Sequence, residues 1–321
     1  MVSGERALGA EDVGCDFCGA RDSAVVWTGL RDRNTHGDQT FSIVRCRRCR
    51  LVYLSPRPTS EQIERYYSPD YLVHAPDFFP RARGPLKAAI WRIARFSFHL
   101  RYPGSSAVLP PSYPGAALLD VGCGAGGYLA SMAELGWDVH GIEPSPTAAA
   151  LARARLGDDA RVFLGRADAI SLPPPRYDFI TLWHALEHVH TPIAVLAAVA
   201  PALRPSWSLR IAVPNIGSLE VRVFRRRRFP LEVPRHLYHF DSDTLTACLA
   251  KAGFEMVSLR PQWFLSSISG SINYVLEEVT CRRYRGPDHW MTCYGVDLWA
   301  SLVYILGNRG VIDVSAVRPG Q

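Results

Sequence analysis

Short apolar runs alternate with segments of helical period through the second half of the chain. AALLDVG (116–122), WDVHGIE (137–143), RVFLG (161–165), YDFITLW (177–183) and SLRIAVP (208–214) have the length and the β-branched and aromatic content of buried strands. Between them, GYLASMAEL (127–135), PTAAALARARL (146–156) and AVLAAVAPAL (194–203) read as helices. Strand and helix in alternation predict an α/β fold, a parallel sheet covered on both faces. In such a sheet the ligand lies beyond the carboxyl ends of the strands. FEMVSLR (254–260) and GVIDVSAV (310–317) predict a sixth and a seventh strand.

The pattern changes upstream. AVLPPSYPG (107–115) reads as a linker, and GPLKAAIWRIARFSFHLRY (84–102) as a basic amphipathic helix with Leu86, Ile90 and Ile93 on one face. Such a helix packs on its own domain, covers a pocket or lies on a membrane surface. The expected division is therefore a module at 1–58, a helical linker or lid at 59–110 and the main domain at 111–321. An aromatic-rich insertion at about 261–309 follows the sixth strand and is placed to wall a substrate site.

Cysteine spacing defines the first module. Of eight cysteines, four form the pairs Cys15-x2-Cys18 and Cys46-x2-Cys49. In a reducing compartment paired knuckles favour tetrahedral Zn²⁺ over disulfides, which predicts a four-cysteine zinc ribbon. The 27 intervening residues exceed the usual roughly 15 to 20, so a long hairpin through AVVWTGL (24–30) and FSIVRC (41–46) must fill the gap. Four thiolates close the coordination sphere, so this zinc is structural.

Composition adds less. A chain of 321 residues with 48% hydrophobic content buries a sizeable core, and no segment reaches the roughly 18 continuous apolar residues of a membrane span. A cytoplasmic location is the expectation. The net charge of +6, concentrated in RCRRCR (45–50) and RRRR (225–228), suits a phosphorylated small molecule, a nucleic acid or an acidic membrane surface and does not choose among them.

The turn after the first strand of the main domain carries the chemistry. Gly122, Gly124 and Gly126 in GCGAG let the backbone turn tightly and approach a ligand. Asp120 precedes the turn. Glu143 ends the second strand, where an acidic side chain accepts hydrogen bonds from two ribose hydroxyls. Asp168, with Ala169 beside it, follows the third strand, where it can accept from an adenine amino group. An adenosine-containing cofactor is implied, NAD or S-adenosylmethionine.

The tighter glycine spacing, with Asp120 before it and Glu143 and Asp168 after it, resembles class I S-adenosylmethionine-dependent methyltransferases over about residues 112–260. The resemblance implies a Rossmann-like sheet in which the sixth and seventh strands form an antiparallel edge pair, and S-adenosylmethionine as cofactor. RYYSPDYL (65–72), WHALEHV (183–189) and VPRHLYHF (233–240), behind a four-cysteine ribbon, are similar to a branch that includes sugar C-methyltransferases. That similarity implies His184, His236 and Tyr71 in the substrate pocket. Where those enzymes have Tyr-x-Glu-His, this chain has Val233-Pro-Arg-His236.

His184 follows a strand end and is the first candidate for general base, and His236 the second. Arg235 or Arg225–Arg228 would hold a substrate phosphate or carboxylate. Glu187 and His188, three and four residues beyond His184, would share a helical face with it and could bind a metal. Three readings follow: a small-molecule methyltransferase acting on a sugar, glycan precursor or secondary metabolite, an RNA methyltransferase, or a non-catalytic scaffold. The first is preferred, with nucleic acid not expected as partner, peripheral membrane contact left open and the oligomeric state undetermined.

Overall fold

The computed structural model describes residues 10–34, 38–67, 113–157, 161–172, 175–262, 265–280 and 310–319. The strands are β1 (Ala10–Glu11), β2 (Ser23–Arg31), β3 (Thr40–Cys46), β4 (Val52–Leu54), β5 (Arg57–Pro58), β6 (Ala117–Val121), β7 (Asp138–Glu143), β8 (Arg161–Leu164), β9 (Tyr177–Trp183), β10 (Leu203–Pro214), β11 (Tyr238–His239), β12 (Glu255–Gln262) and β13 (Val311–Val317). The helices are α1 (Gly127–Glu134), α2 (Pro146–Leu156), α3 (Pro192–Val199), α4 (Leu219–Phe224), α5 (Ser242–Lys251) and α6 (Leu265–Thr280).

The seven-stranded sheet has the order β12-β13-β10-β9-β6-β7-β8. β6 lies in its interior and is buried along its whole length, as its ALLDV run requires. Its neighbours β7 and β9 run parallel to it, and the chain leaves β6 for β7 on one side and later returns to β9 on the other. The strand order reverses there, which opens a crevice at the carboxyl ends of β6 and β9. β13 is antiparallel to both β10 and β12. It inserts between them and leaves β12 at the edge, so the last two strands pair as expected while the seventh is interior. This is the Rossmann-like arrangement that the resemblance implies.

Local signals set the helix starts. Ser145 caps α2, its Oγ accepting from Ala148 N at 3.3 Å with Pro146 in the first turn. Asp241 and Thr244 form a reciprocal capping box on α5.

The expected hairpin between the cysteine knuckles is β2 and β3, which pair antiparallel from Ser23↔Cys46 to Arg31↔Thr40. Their sheet continues through β4 to β11, a strand contributed by the main domain. Leu54 N–H donates to Leu237 O at 2.8 Å, and Ile193 N–H at the start of α3 donates to Asp16 inside the first knuckle. One hydrophobic cluster runs from Phe41, Ile43 and Leu54 through Leu237 and Phe240 to Leu182 and Val213. The N-terminal module is therefore welded to the main domain through the loop that carries His236.

Of the 261–309 insertion the described part is chiefly α6. Gly270 of α6 allows a close approach to Phe229: a Cβ there would stand 2.5 Å from its ring. Among the described residues no helix is long and apolar enough to cross a membrane. Tyr71 and the amphipathic segment 84–102 lie outside the described residues.

Candidate functional site

The glycine turn sits at the carboxyl end of β6, as expected. Gly122, Gly124 and Gly126 have φ of 77°, 54° and 74°, the left-handed region that favours glycine. A Cβ on Gly122 would stand 2.8 Å from the Cβ of Ala185, so the segment after β9 lies directly on the turn. A Cβ on Gly126 would meet Ala152 of α2 at 3.0 Å.

Glu143 ends β7 beside this turn. Its two carboxylate oxygens accept from Gly124 N at 2.8 Å and Ser145 N at 2.9 Å. Burial raises its pKa while these two N–H groups lower it. A nearly enclosed carboxylate fixed against the turn has the geometry and charge to accept from ribose hydroxyls. Tyr128 Oη at the start of α1 and Trp183 Nε1 at the end of β9 are buried with no partner among the described residues, and their rings pack edge to face with centroids 5.7 Å apart. Orphaned donors beside a glycine turn fit a polar cofactor in the crevice.

Asp120 accepts from Thr181 Oγ1 at 2.7 Å. Burial pushes its carboxyl up to about 7, with the charge of Glu143 adding to the shift and Thr181 opposing it. An aspartate in the unfolded chain titrates near 3.9. Between about pH 4 and pH 7 the folded protein thus holds a proton the unfolded chain has released, and stability falls as pH rises through that window. Asp120→Asn, neutral throughout, is expected to flatten this slope in urea-unfolding midpoints. An identical slope in the variant would refute the assignment.

Asp168 lies past β8 with both oxygens engaged. It accepts from Arg166 at 2.6 and 3.0 Å and from Thr191 Oγ1 at 2.6 Å, and the Arg166 guanidinium holds it below the usual carboxylate range. It joins the β8 turn to the start of α3. Ala169 N–H closes the same turn on Arg166 O at 3.0 Å.

His184 begins the segment after β9 with φ 49°, a strained conformation for a residue other than glycine. Its N–H donates to Ala212 O at 2.9 Å. Nδ1 faces Glu187 Oε1 at 3.3 Å, and the side chain keeps 36% of its surface exposed. With Glu187 as the acceptor in this pair, Nδ1 carries the hydrogen and Nε2 the lone pair. Glu187 itself is buried, and its Oε2 has no partner among the described residues.

The metal grouping open at the sequence level takes a different form. Residues 184–188 make a turn rather than a helix, so the helical same-face argument fails. The residues brought together are Glu187, His188 and His236, with one ligand atom from each within 4.8 Å of the others. His236 comes from a loop 48 residues later, and nothing in the local sequence links the two. Tyr67 also joins the site, its hydroxyl 3.0 Å from His188 Nδ1. The only sequence signal for it was the tyrosine-rich stretch around it. Burial pushes His188 down to about 4 and His236 to about 3, so both imidazoles are neutral at physiological pH.

Of the arginines expected to hold a substrate anion, Arg225 and Arg226 are exposed, while Arg227, Arg228 and Arg235 are paired. Arg235 is buried, with 3.1 and 2.9 Å bonds to the two oxygens of Asp32, 2.8 Å to Tyr66 O and 3.3 Å to Glu232. Arg228 is buried against Glu220 and Gly310 O, and Arg227 pairs with Glu278 of α6 at 2.6 Å. The buried guanidiniums of Arg228 and Arg235 join chain segments and do not present an open face to a substrate anion.

The four cysteines converge as the knuckles imply. Sγ atoms of Cys15 and Cys49 are 3.3 Å apart, those of Cys18 and Cys46 3.5 Å, and all four lie within 4.8 Å of one another. Sulfurs about 2.3 Å from one tetrahedral ion would stand roughly 3.8 Å apart, so the set fits Zn²⁺ with small adjustments.

Comparison with known proteins agrees with the geometry. The methyltransferase-domain family matches residues 92–259. Over 107 residues the chain is 36% identical to the ubiquinone biosynthesis O-methyltransferase of Xanthomonas campestris pv. campestris (strain B100), covering 32% of this chain and 44% of that protein, less than half its length. Over 194 residues it is 27% identical to the protein of that name from Cereibacter sphaeroides (strain ATCC 17025 / ATH 2.4.3), covering 55% and 78%. Among solved structures it is similar to an S-adenosylmethionine-dependent methyltransferase from Mesorhizobium loti, with 20% identity, a TM-score of 0.47 and coverage of 68% and 97%.

Proposed function

The chain belongs to the methyltransferase-domain family, and on that premise we propose that it transfers a methyl group from S-adenosylmethionine to a hydroxyl of a small molecule. The observation that carries this reading is the contact of Ala185 with Gly122, which sets His184 beside the turn that Glu143 closes. Bound S-adenosylmethionine supplies a methyl group on a sulfonium, activated for displacement. The chain must hold that group, orient the acceptor and take its proton.

Glu143 takes the ribose hydroxyls, the turn from Gly122 to Gly126 admits the rest of the nucleoside without side-chain obstruction, and Asp168 with Ala169 borders the adenine. His184 Nε2 is the base. Glu187 fixes its tautomer through Nδ1–H, as a carboxylate does for a catalytic imidazole. His236 is held differently: its Nδ1 is spent on Pro230 O at 2.9 Å and it is buried, so its place is in the wall of the site. The acceptor classes that fit are sugars or glycan precursors, favoured by the His184, His236 and tyrosine pattern, and hydroxylated rings, suggested by the names of the relatives. Arg235 and Arg228 are occupied, so neither is offered to a substrate phosphate.

Titration with S-adenosylhomocysteine tests the reading. Micromolar binding is expected, followed by methyl transfer from labelled S-adenosylmethionine to a panel of hydroxylated acceptors. Absence of binding in a folded sample sinks the proposal. Steeply salt-dependent RNA binding would replace it by the RNA reading.

The cysteine cluster holds a structural zinc in this proposal. Cys18→Ser is expected to reduce thiolate-bound zinc from about one ion per chain to none, read by metal release on thiol modification. Since β4 pairs with β11, the same variant should also lower the melting temperature. Full zinc retention would overturn the assignment.

A further inference from the structure

We propose that Glu187, His188 and His236 form a second metal site, distinct from the four cysteines, that binds one divalent first-row cation through Glu187 Oε2 and the Nε2 atoms of the two histidines. Each of the three residues has its outer atom already held. His184 Nδ1–H lies 3.3 Å from Glu187 Oε1, the Tyr67 hydroxyl 3.0 Å from His188 Nδ1, and Pro230 O accepts from His236 Nδ1 at 2.9 Å. That is how outer partners fix ligand tautomer and orientation in metal sites. One ligand atom of each residue lies within 4.8 Å of the others.

Two features call for a positive charge there. Glu187 Oε2 is buried with no partner among the described residues, an uncompensated loss of hydration. His236 raises the second. A carbonyl can only accept, so Nδ1 bears the hydrogen and Nε2 of the neutral ring is a lone pair. Yet Nε2 stands 3.3 Å from Glu232 Oε2, one acceptor facing another. A cation held at Nε2 relieves both conflicts.

The distances fit. Nitrogen and carboxylate ligands lie about 2.1 Å from a zinc-like ion, so two of them on one ion stand at most about 4.2 Å apart. The separations within 4.8 Å close onto an ion with side-chain movements of roughly half an ångström. The rings of His188 and His236 are set at 85° with centroids 4.5 Å apart. Two imidazoles and one carboxylate suit zinc, cobalt(II) or iron(II) rather than calcium or magnesium, and leave coordination positions open.

The link to the reaction rests on the function proposed above; the binding does not. Glu187 also orients His184, so a cation here lies next to the base. It would lower the pKa of an acceptor hydroxyl in its reach. The hydroxyl proton passes to His184 Nε2, the freed oxygen pair forms the bond to the methyl carbon, and the carbon–sulfur bond breaks with its pair left on sulfur.

Cobalt(II) titration of the metal-stripped full chain tests the site, because thiolate-bound cobalt has a sulfur-to-metal charge-transfer band and cobalt on nitrogen and oxygen does not. Two equivalents are expected, one without the thiolate band. Glu187→Gln and His188→Gln should each weaken that equivalent at least about 100-fold, and Tyr67→Phe about 10-fold, with the thiolate band unchanged. Only thiolate-bound cobalt in the wild type, or a second equivalent that survives in both ligand variants, overturns the proposal. If a ligand variant fails to fold, shown by loss of the thiolate band, Tyr67→Phe and the wild-type stoichiometry still decide it. S-adenosylhomocysteine titration of the same samples separates the two ideas: cobalt uptake without nucleoside binding refutes the proposed function and leaves the metal site standing, and the reverse refutes the site alone.

Discussion

His184→Asn is expected to lower the methyl-transfer rate by about 10²- to 10⁴-fold, the range that a positioned general base contributes. S-adenosylhomocysteine affinity should stay within about threefold, because in the proposed reaction the imidazole meets the acceptor rather than the nucleoside. Asparagine is chosen because φ at this position is 49°, in the left-handed region that asparagine tolerates better than alanine. The comparison therefore removes the imidazole while sparing the backbone, including the N–H bond to Ala212. Glu187→Gln should produce a smaller loss through the tautomer: an amide nitrogen turned toward Nδ1 would favour the form with the hydrogen on Nε2, which is not a base. A rate within about fivefold of wild type in His184→Asn would remove His184 from the mechanism.

Glu143→Ala is expected to weaken S-adenosylhomocysteine binding by roughly 100-fold. Hydrogen bonds to a charged acceptor contribute about 1.5 to 3 kcal/mol each, and each 1.4 kcal/mol is tenfold in affinity. The two ribose bonds would predict a larger effect if they were lost without replacement, and water admitted to the emptied space recovers part of it. The variant also strips Gly124 N–H and Ser145 N–H of their acceptor, so the glycine turn loosens and the melting temperature should fall. Glu143→Gln separates the contributions. Its single carbonyl oxygen can satisfy one of the two N–H groups, while its amide nitrogen meets the other as donor against donor. Its affinity should therefore lie between wild type and alanine. Calorimetric titration reads all three. Equal affinity in wild type and Glu143→Ala would show that the carboxylate only props the turn.

The sequence by itself determined the parts whose physics is local. Fully buried strands need unbroken apolar runs, so β6 and β9 were visible as ALLDV and YDFITLW. A left-handed turn needs glycine, which made 122–126 legible, and Glu143 followed from its place at the next strand end. Paired knuckles announced the cysteine cluster, and their long spacing announced the β2–β3 hairpin.

Only the tertiary structure decided which distant groups meet. Arg235 reads locally as an available cation, but Asp32, 203 residues earlier, takes both of its terminal nitrogens in a buried pair. His184, Glu187 and His188 read as one helical face, whereas the left-handed turn at His184 breaks that face and His236 fills the empty place. β13 slides between β10 and β12, an order that strand patterns cannot encode because every buried strand reads alike. Local sequence sets backbone preference and burial. Partnership between side chains far apart in the chain is set by packing, and the chemistry around Glu187 depends on that packing.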